Sequence, residues 1–228
     1  MLRRTALALP VAALAAATVV PTVASAATIT PSKPCYVRVP TQASETMNFT
    51  LSGGTPGGRW QVYGVNGKAG SVTGSFDGAG NANASLVNSF STGSISPSAG
   101  RTIEVRVREF GPSGSIDTGS TKVKVTNLAL DLANRPRGAY SKRVWRVSGL
   151  TETLTGSKTV YATWKKGSKT VKRTRLGRAN ACGYVRVKKS AIPRSGGRSF
   201  TLYVHAGSRL DTSKPYLRQT VRVIRRYF

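Results

Sequence analysis

The chain has few acidic residues, a single histidine and two cysteines, and each shortage excludes a class of site. Only eight Asp and Glu occur in 228 residues, and none are spaced like the facing carboxylate pair of a glycosidase. One histidine and two cysteines cannot supply a four-ligand zinc site. His205, Cys182 and Asp211 could be written as a triad, but no hydrolase signature surrounds Cys182. We therefore expect no enzymatic activity, no metal and no cofactor.

Long hydrophobic runs are also missing, except at the N-terminus. Arg3 and Arg4 precede an apolar stretch over 6–20, which ends before Ala24-Ser25-Ala26. A positive start, an apolar run and a small-residue cleavage site are the parts of a secretory signal peptide, here residues 1–26. Prolines within and after the run argue against a membrane anchor. We expect a secreted mature protein without a transmembrane segment, either soluble or held non-covalently in the cell envelope.

The remaining chain shows strand patterns and no long amphipathic helix. Apolar residues alternate with polar ones in short runs, which places one face of each strand in a core. Turn residues such as Gly53-Gly54 and Asp77-Gly78 separate these runs. This pattern predicts an all-β fold of sandwich type. The residues expected in the core are Phe49, Leu51, Trp60, Val62, Ile103 and Val105, then Trp145, Val147, Val160, Phe200, Leu202 and Val204. His205 falls in the outward phase and is expected at the surface.

One unit of about 100 residues occurs twice. The segment that begins at Phe49, FTLSGGTPGGRWQVYG, corresponds to the segment that begins at Trp145, WRVSGLTETLTGSKTVYA. The segment that begins at Gly100, GRTIEVRV, corresponds to the segment that begins at Gly197, GRSFTLYV. Corresponding positions are separated by 96 to 98 residues. A constant offset predicts two copies of one domain, here 27–126 and 127–228. The two copies are expected to meet between Asn127 and Arg137.

This pattern resembles the tandem bacterial immunoglobulin-like domains found in uncharacterised secreted proteins of actinobacteria. The resemblance extends over the mature chain and rests on the strand and turn pattern of the two copies. It implies two tandem immunoglobulin-like β-sandwiches after a cleaved signal peptide. It also implies a binding or scaffolding role outside the cell, and it brings no catalytic residues.

The two cysteines lie in different copies and at positions that do not correspond. Cys35 precedes the first repeated strand, whereas Cys182 lies inside the second copy. Because exported cysteines commonly pair, one hypothesis is a disulfide between the two domains. The alternatives are two free buried thiols or a bridge between molecules.

Positive charge is concentrated in the second copy. Residues 27–126 hold nine basic and five acidic side chains, whereas residues 127–228 hold 24 basic and three acidic ones. The fold does not require this difference, since a large net charge opposes compaction. The charge therefore indicates either a solvated surface or a domain that binds polyanions.

The candidate polyanion site combines cations with outward-phase tyrosines, whose rings can stack on sugars. Its residues are Lys165, Lys166, Lys172, Arg173, Arg175, Tyr184, Arg186, Lys188, Tyr203 and Arg222.

The sequence favours an exported binding protein that associates electrostatically with anionic envelope polymers. The expected partners are an anionic cell-wall polymer such as teichoic acid, an acidic polysaccharide or lipid head groups. Nucleic acid is chemically possible but is not favoured, because no recognition motif is present. The alternative is a structural or adhesive spacer, or a protein-binding arm, at the cell exterior.

Overall fold

The computed structural model describes residues 26–39, 45–67, 70–87, 96–112, 114–132, 142–193 and 198–223. The predicted signal peptide, apart from Ala26, lies outside the described residues, and so does segment 133–141 after the first copy. The described residues form β-strands almost throughout, with one short helix, so the predicted all-β fold is confirmed.

The strands of the first half begin soon after the predicted cleavage site. They are β1 (Thr28–Pro31), β2 (Cys35–Arg38), β3 (Met47–Ser52), β4 (Arg59–Gly64), β5 (Ser71–Ser75), β6 (Ala82–Leu86), β7 (Arg101–Gly111) and β8 (Gly114–Asn127). The second half contains β9 (Ala129–Asp131), β10 (Arg143–Ser148), helix α1 (Glu152–Thr155), β11 (Thr159–Lys166), β12 (Lys169–Arg178), β13 (Val185–Lys189), β14 (Arg198–Ala206) and β15 (Tyr216–Val223).

These strands build two sandwiches with one strand order. In the first, the sheet β1-β3-β6 faces the sheet β2-β8-β7-β4-β5. In the second, the sheet β9-β10-β13 faces the sheet β12-β11-β14-β15. Taken by position along each half, the orders coincide, and β2 alone has no counterpart among the described strands. This is the sandwich that the alternating pattern predicted, in the immunoglobulin-like form that the resemblance implies.

Each sandwich closes on its own hydrophobic core. All twelve residues predicted to be in the core are buried, which confirms the phase assigned to every one of those strands. Trp145 and Trp164 meet edge to face, with ring centroids 6.3 Å apart. The Trp164 indole donates to the Ala191 carbonyl at 2.6 Å, so its buried N–H is satisfied.

Strand β2 links the two halves. It pairs in parallel with β8, with Cys35 opposite Lys124. Tyr36 packs in the core of the first sandwich, whereas Val37 and Val39 pack in the core of the second. A stretch near the start of the described residues therefore contributes side chains to both cores, which the repeat alone does not predict.

A disulfide joins the halves beside β2. Cys35 and Cys182 are bonded, their Cα atoms are 5.2 Å apart, and the predicted bridge between the two copies is confirmed. Both residues are buried. A Cβ on Gly100 would lie 2.5 Å from Cys182 Sγ, so the backbone of the first half approaches the bridge where no side chain fits. Nearby, the Asn180 amide donates to the Ala99 carbonyl at 3.2 Å.

Candidate functional site

The outer surface of the sheet β12-β11-β14-β15 brings cations and aromatic rings together. On β11, Val160, Ala162 and Trp164 point into the core, so the residues between them point outward. The strand register places Thr163 between Arg173 and Tyr203, with Arg218 beyond Tyr203. We call this surface the basic face. Its residues are Tyr161, Thr163, Lys165, Arg173, Arg175, Tyr203, His205, Tyr216, Arg218 and Arg222.

Tyr203 is the centre of the basic face. The Lys165 ammonium lies 5.4 Å from its ring centroid, and the Arg218 guanidinium lies 5.9 Å from it. Both distances are within the range of a cation–π interaction. The ring of Tyr216 on the edge strand is 5.8 Å from that of Tyr203. The face therefore presents aromatic rings with positive charge beside them.

His205 corrects an expectation of the sequence analysis, because it is buried and not exposed at the surface. Tyr161 stacks on its ring at 6.2 Å, and Thr163 Oγ1 is 2.9 Å from Nε2. Nearby, Arg173 donates to the Ser208 carbonyl at 2.7 Å. Burial lowers the pKa of His205 below its ordinary value of 6.5, and the charge of Arg173 lowers it further. The imidazole is therefore neutral at pH 7, and its ring stacks against that of Tyr161.

No acidic side chain among the described residues of the second sandwich is paired with a cation of the basic face. Its three acidic residues pair elsewhere, Asp131 with Arg146 at 2.6 Å and Glu152 with Lys158 at 2.9 Å. Asp211 accepts from the backbone and side chain of Ser213 in the loop before β15, and these bonds lower its pKa. The cations of the basic face are therefore not neutralised by the domain that carries them.

The corresponding face of the first sandwich has similar residue types, but its central arginines, Arg106 and Arg108, are paired with carboxylates. Asp117 accepts from Arg108 at 2.8 Å and from the Tyr63 hydroxyl at 2.7 Å. The Arg108 guanidinium holds the pKa of Asp117 below its ordinary value. Glu104 pairs with Arg106 at 2.7 Å. The same fold thus carries arginine and tyrosine with matching carboxylates in one copy and without them in the other.

The ten predicted site residues do not form one cluster. Lys165, Arg173, Arg175, Tyr203 and Arg222 do share the basic face. Arg186 and Lys188 lie on β13 in the opposite sheet, and Tyr184 immediately precedes that strand. Alternation along a strand shows which side chains point outward, but it does not show which of the two sheets the strand joins.

Two predicted lysines occupy positions away from the basic face. Lys172 follows the inward phase of β12, and its ammonium donates to the carbonyls of Ser190 at 3.2 Å and Ile192 at 2.8 Å. Lys166 stands at the end of the β11–β12 hairpin, opposite Lys169. The structure therefore does not bring either lysine together with Arg173 and Arg175 on the basic face.

Tyr216 and Arg218 are members of the basic face that the sequence analysis missed. Both precede Arg222 on β15, in the same outward phase. The alternation of Tyr216, Arg218 and Arg222 with Leu217, which packs against the core, and the buried Val221 is the signal that marks them.

Two further kinds of feature were sought in the described ranges, a metal site and a membrane-spanning helix. No three His, Cys, Asp or Glu of these residues come together as a metal site would require. None of the described helices has the length and apolar character needed to cross a membrane.

No family model matches this chain, and no curated protein matches it. Several solved structures are similar to it at low identity and low TM-score. A C-terminal 282-residue fragment of intimin, in complex with the intimin-binding domain of the translocated intimin receptor, is 12% identical with a TM-score of 0.38; the match covers 86% of this chain and 63% of that one. A bacterial ice-binding adhesin is 14% identical with a TM-score of 0.35, over 89% of this chain and 65% of that one.

The periplasmic chaperone SfaE is 8% identical with a TM-score of 0.29, and 87% of this chain covers 100% of it. This chain spans slightly less than two thirds of the length of the intimin fragment and of the adhesin. A shared architecture does not transfer an activity, so the functional argument rests on the residues of this chain.

Proposed function

We propose that this chain is an exported, non-catalytic binding protein whose basic face binds anionic polymers of the cell envelope. The observation that carries the proposal is the contrast between the two copies. Arg106 and Arg108 in the first copy are paired with carboxylates, whereas the three acidic residues of the second copy pair away from its basic face. Unneutralised cations on a folded surface attract a polymer that supplies the missing negative charge.

Protection of sheet edges explains only part of the basic face. Lys and Arg on an edge strand prevent pairing with other chains, and this accounts for cations on β12 and β15. Lys165 and Tyr203, however, lie on β11 and β14, which are the internal strands of the sheet. A cation over an aromatic ring on internal strands fits a ligand that combines negative charge with sugar rings.

The test compares two charge-reversed variants of the mature chain. The first carries Arg175→Glu, Arg218→Glu and Arg222→Glu on the basic face. The matched control carries Arg101→Glu, Lys122→Glu and Lys124→Glu on exposed positions of β7 and β8, with the same change in net charge. The probes are immobilised poly(glycerol phosphate) and polygalacturonate, and the measured quantity is the dissociation constant at several salt concentrations.

We expect the basic-face variant to bind at least about tenfold more weakly, on the basis of about 0.5 kcal/mol for each lost contact. Binding of the original chain should weaken as salt increases, because salt screens exposed charges. Equal weakening in both variants, or binding that does not respond to salt, would contradict the proposal.

A second candidate is an adhesive or protein-binding arm. The observation that favours it is the covalent and packed connection between the halves, in which Cys35 and Val37 both take part. A stiff connection is useful to an arm or a spacer, whereas polymer binding by one sandwich does not need it. The double variant Cys35→Ala/Cys182→Ala should therefore impair adhesion of the producing cells if the chain is an arm, and should leave polymer binding unchanged.

A further inference from the structure

The second sandwich also carries positive charge on the side opposite the basic face. The outer surface of the sheet β9-β10-β13 presents Arg146, Arg186 and Lys188, and we call it the rear face. Arg186 lies directly across from Arg146 in the strand register. Like charges in such a position destabilise a strand pair. Asp131 bonds Arg146 at 2.6 Å, which leaves the rear face with an excess of positive charge.

The fold does not require charge at this place. The corresponding sheet of the first sandwich, β1-β3-β6, has Asn48 opposite Ser85 and Thr50 opposite Asn83 on its outer surface. The Ser85 hydroxyl donates to the Asn48 side-chain carbonyl at 2.9 Å. An uncharged outer surface is therefore sufficient for this sheet, and the cations of the rear face are an addition specific to the second copy.

The basic face and the rear face point in opposite directions. They are the outer surfaces of two different sheets of one sandwich, and a core that includes Trp145 and Trp164 lies between them. Packed sheets are about 10 Å apart before their outer side chains are counted. A polymer strand lying along one face is thus separated from the other face by the whole thickness of the domain.

We infer that the second sandwich binds two anionic polymer strands at once, one on each outer face, and so bridges them. This inference rests on the proposed function, since it takes the basic face as the first of the two sites. The rear face supplies Arg186 and Lys188 as the second, with Tyr184 immediately before them in the chain. Bridging follows from this geometry, because a domain with one site on each of two opposite sides links the two polymer strands that occupy them.

The experiment is a two-step capture with the intact mature chain. Beads coated with poly(glycerol phosphate) are loaded with protein and washed, and fluorescent soluble poly(glycerol phosphate) is then added. The rear-face variant carries Arg186→Glu and Lys188→Glu. Its control carries Lys122→Glu and Lys124→Glu, which change the net charge equally on the first sandwich. Circular dichroism confirms that each variant is folded, and sedimentation confirms that each is a monomer.

We expect the original chain and the control to capture fluorescent polymer. The rear-face variant should load onto the beads but capture about fivefold less soluble polymer, the effect of about 1 kcal/mol. If the original chain does not load, the proposed function itself fails. If it loads and captures nothing, or if the rear-face variant captures as much as the control, bridging through the rear face is overturned while polymer binding by the basic face stands.

Discussion

Removal of the interdomain disulfide is the perturbation whose size follows most directly from the structure. Cys35 and Cys182 are separated by 147 residues, so the bridge closes residues 35–182 into one loop. In the chain-entropy treatment, a loop of that length removes about 17 cal/mol/K from the unfolded state, or about 5 kcal/mol at 25 °C. Both cysteines are buried, and Ala fills their positions without adding a polar group.

The assay is urea unfolding of the mature chain and of Cys35→Ala/Cys182→Ala, followed by tryptophan fluorescence and circular dichroism. Trp60 reports on the core of the first sandwich, and Trp145 and Trp164 report on that of the second. With a slope of about 2.5 kcal/mol/M, the midpoint should fall by about 2 M when both sandwiches unfold together. Adding a reductant to the double variant is the control, because it has no bridge to break.

Two outcomes would refute this reasoning. A midpoint within about 0.3 M of the oxidised protein would mean that the bridge hardly restrains the unfolded chain. A large loss seen only by Trp60, with the signals of the second core unchanged, would mean that the sandwiches unfold separately and that the full loop length does not apply.

Two further predictions concern side chains that the sequence analysis placed incompletely. Val37→Ala removes two buried methyl groups from the core of the second sandwich and should lower the free energy of unfolding by about 2 kcal/mol. The control Val87→Ala, at a site that is 69% exposed, should change the free energy of unfolding by less than about 0.5 kcal/mol. Equal effects of the two substitutions in urea unfolding would contradict the packing of Val37 in the second core. The pKa of His205 in the folded chain lies below its ordinary value of 6.5. Between the two pKa values the unfolded chain binds a proton on this imidazole and the folded chain does not, so the free energy of unfolding should fall as pH decreases from 6.5 toward the lowered folded pKa. His205→Gln should remove that part of the loss between pH 7.5 and 5.5 in thermal unfolding, and parallel curves for the two proteins would contradict the buried, neutral imidazole.

The basic domain illustrates how far a local pattern reaches. Alternation predicted that Tyr203 points away from the core, and it does so on the same sheet as Lys165 and Arg173. The same alternation put Arg186 and Lys188 outward, but on the other sheet. Alternation has a period of two residues and carries no information about which strands become neighbours. Only the strand order therefore shows that the candidate residues are divided between two faces.

His205 shows a second limit of local patterns. Its outward phase was assigned correctly relative to Phe200 and Leu202, yet the residue is buried. A side chain on the outer surface of a sheet is exposed only if nothing lies over it. Here Tyr161, from a strand more than forty residues earlier in the chain, stacks on the ring. Such cover depends on cross-strand contacts between distant residues, which a single strand pattern does not contain.

The sequence by itself determined the all-β character, the core residues of both sandwiches and the unequal distribution of charge, because each depends on residue type and on short-range periodicity. It also named the two cysteines without deciding whether they pair. Tertiary structure alone decided that Cys35 reaches Cys182, that Val37 enters the second core and that the cations occupy two opposite faces. Each of these depends on the spatial order of strands, which arises only when the chain closes contacts over long sequence distances.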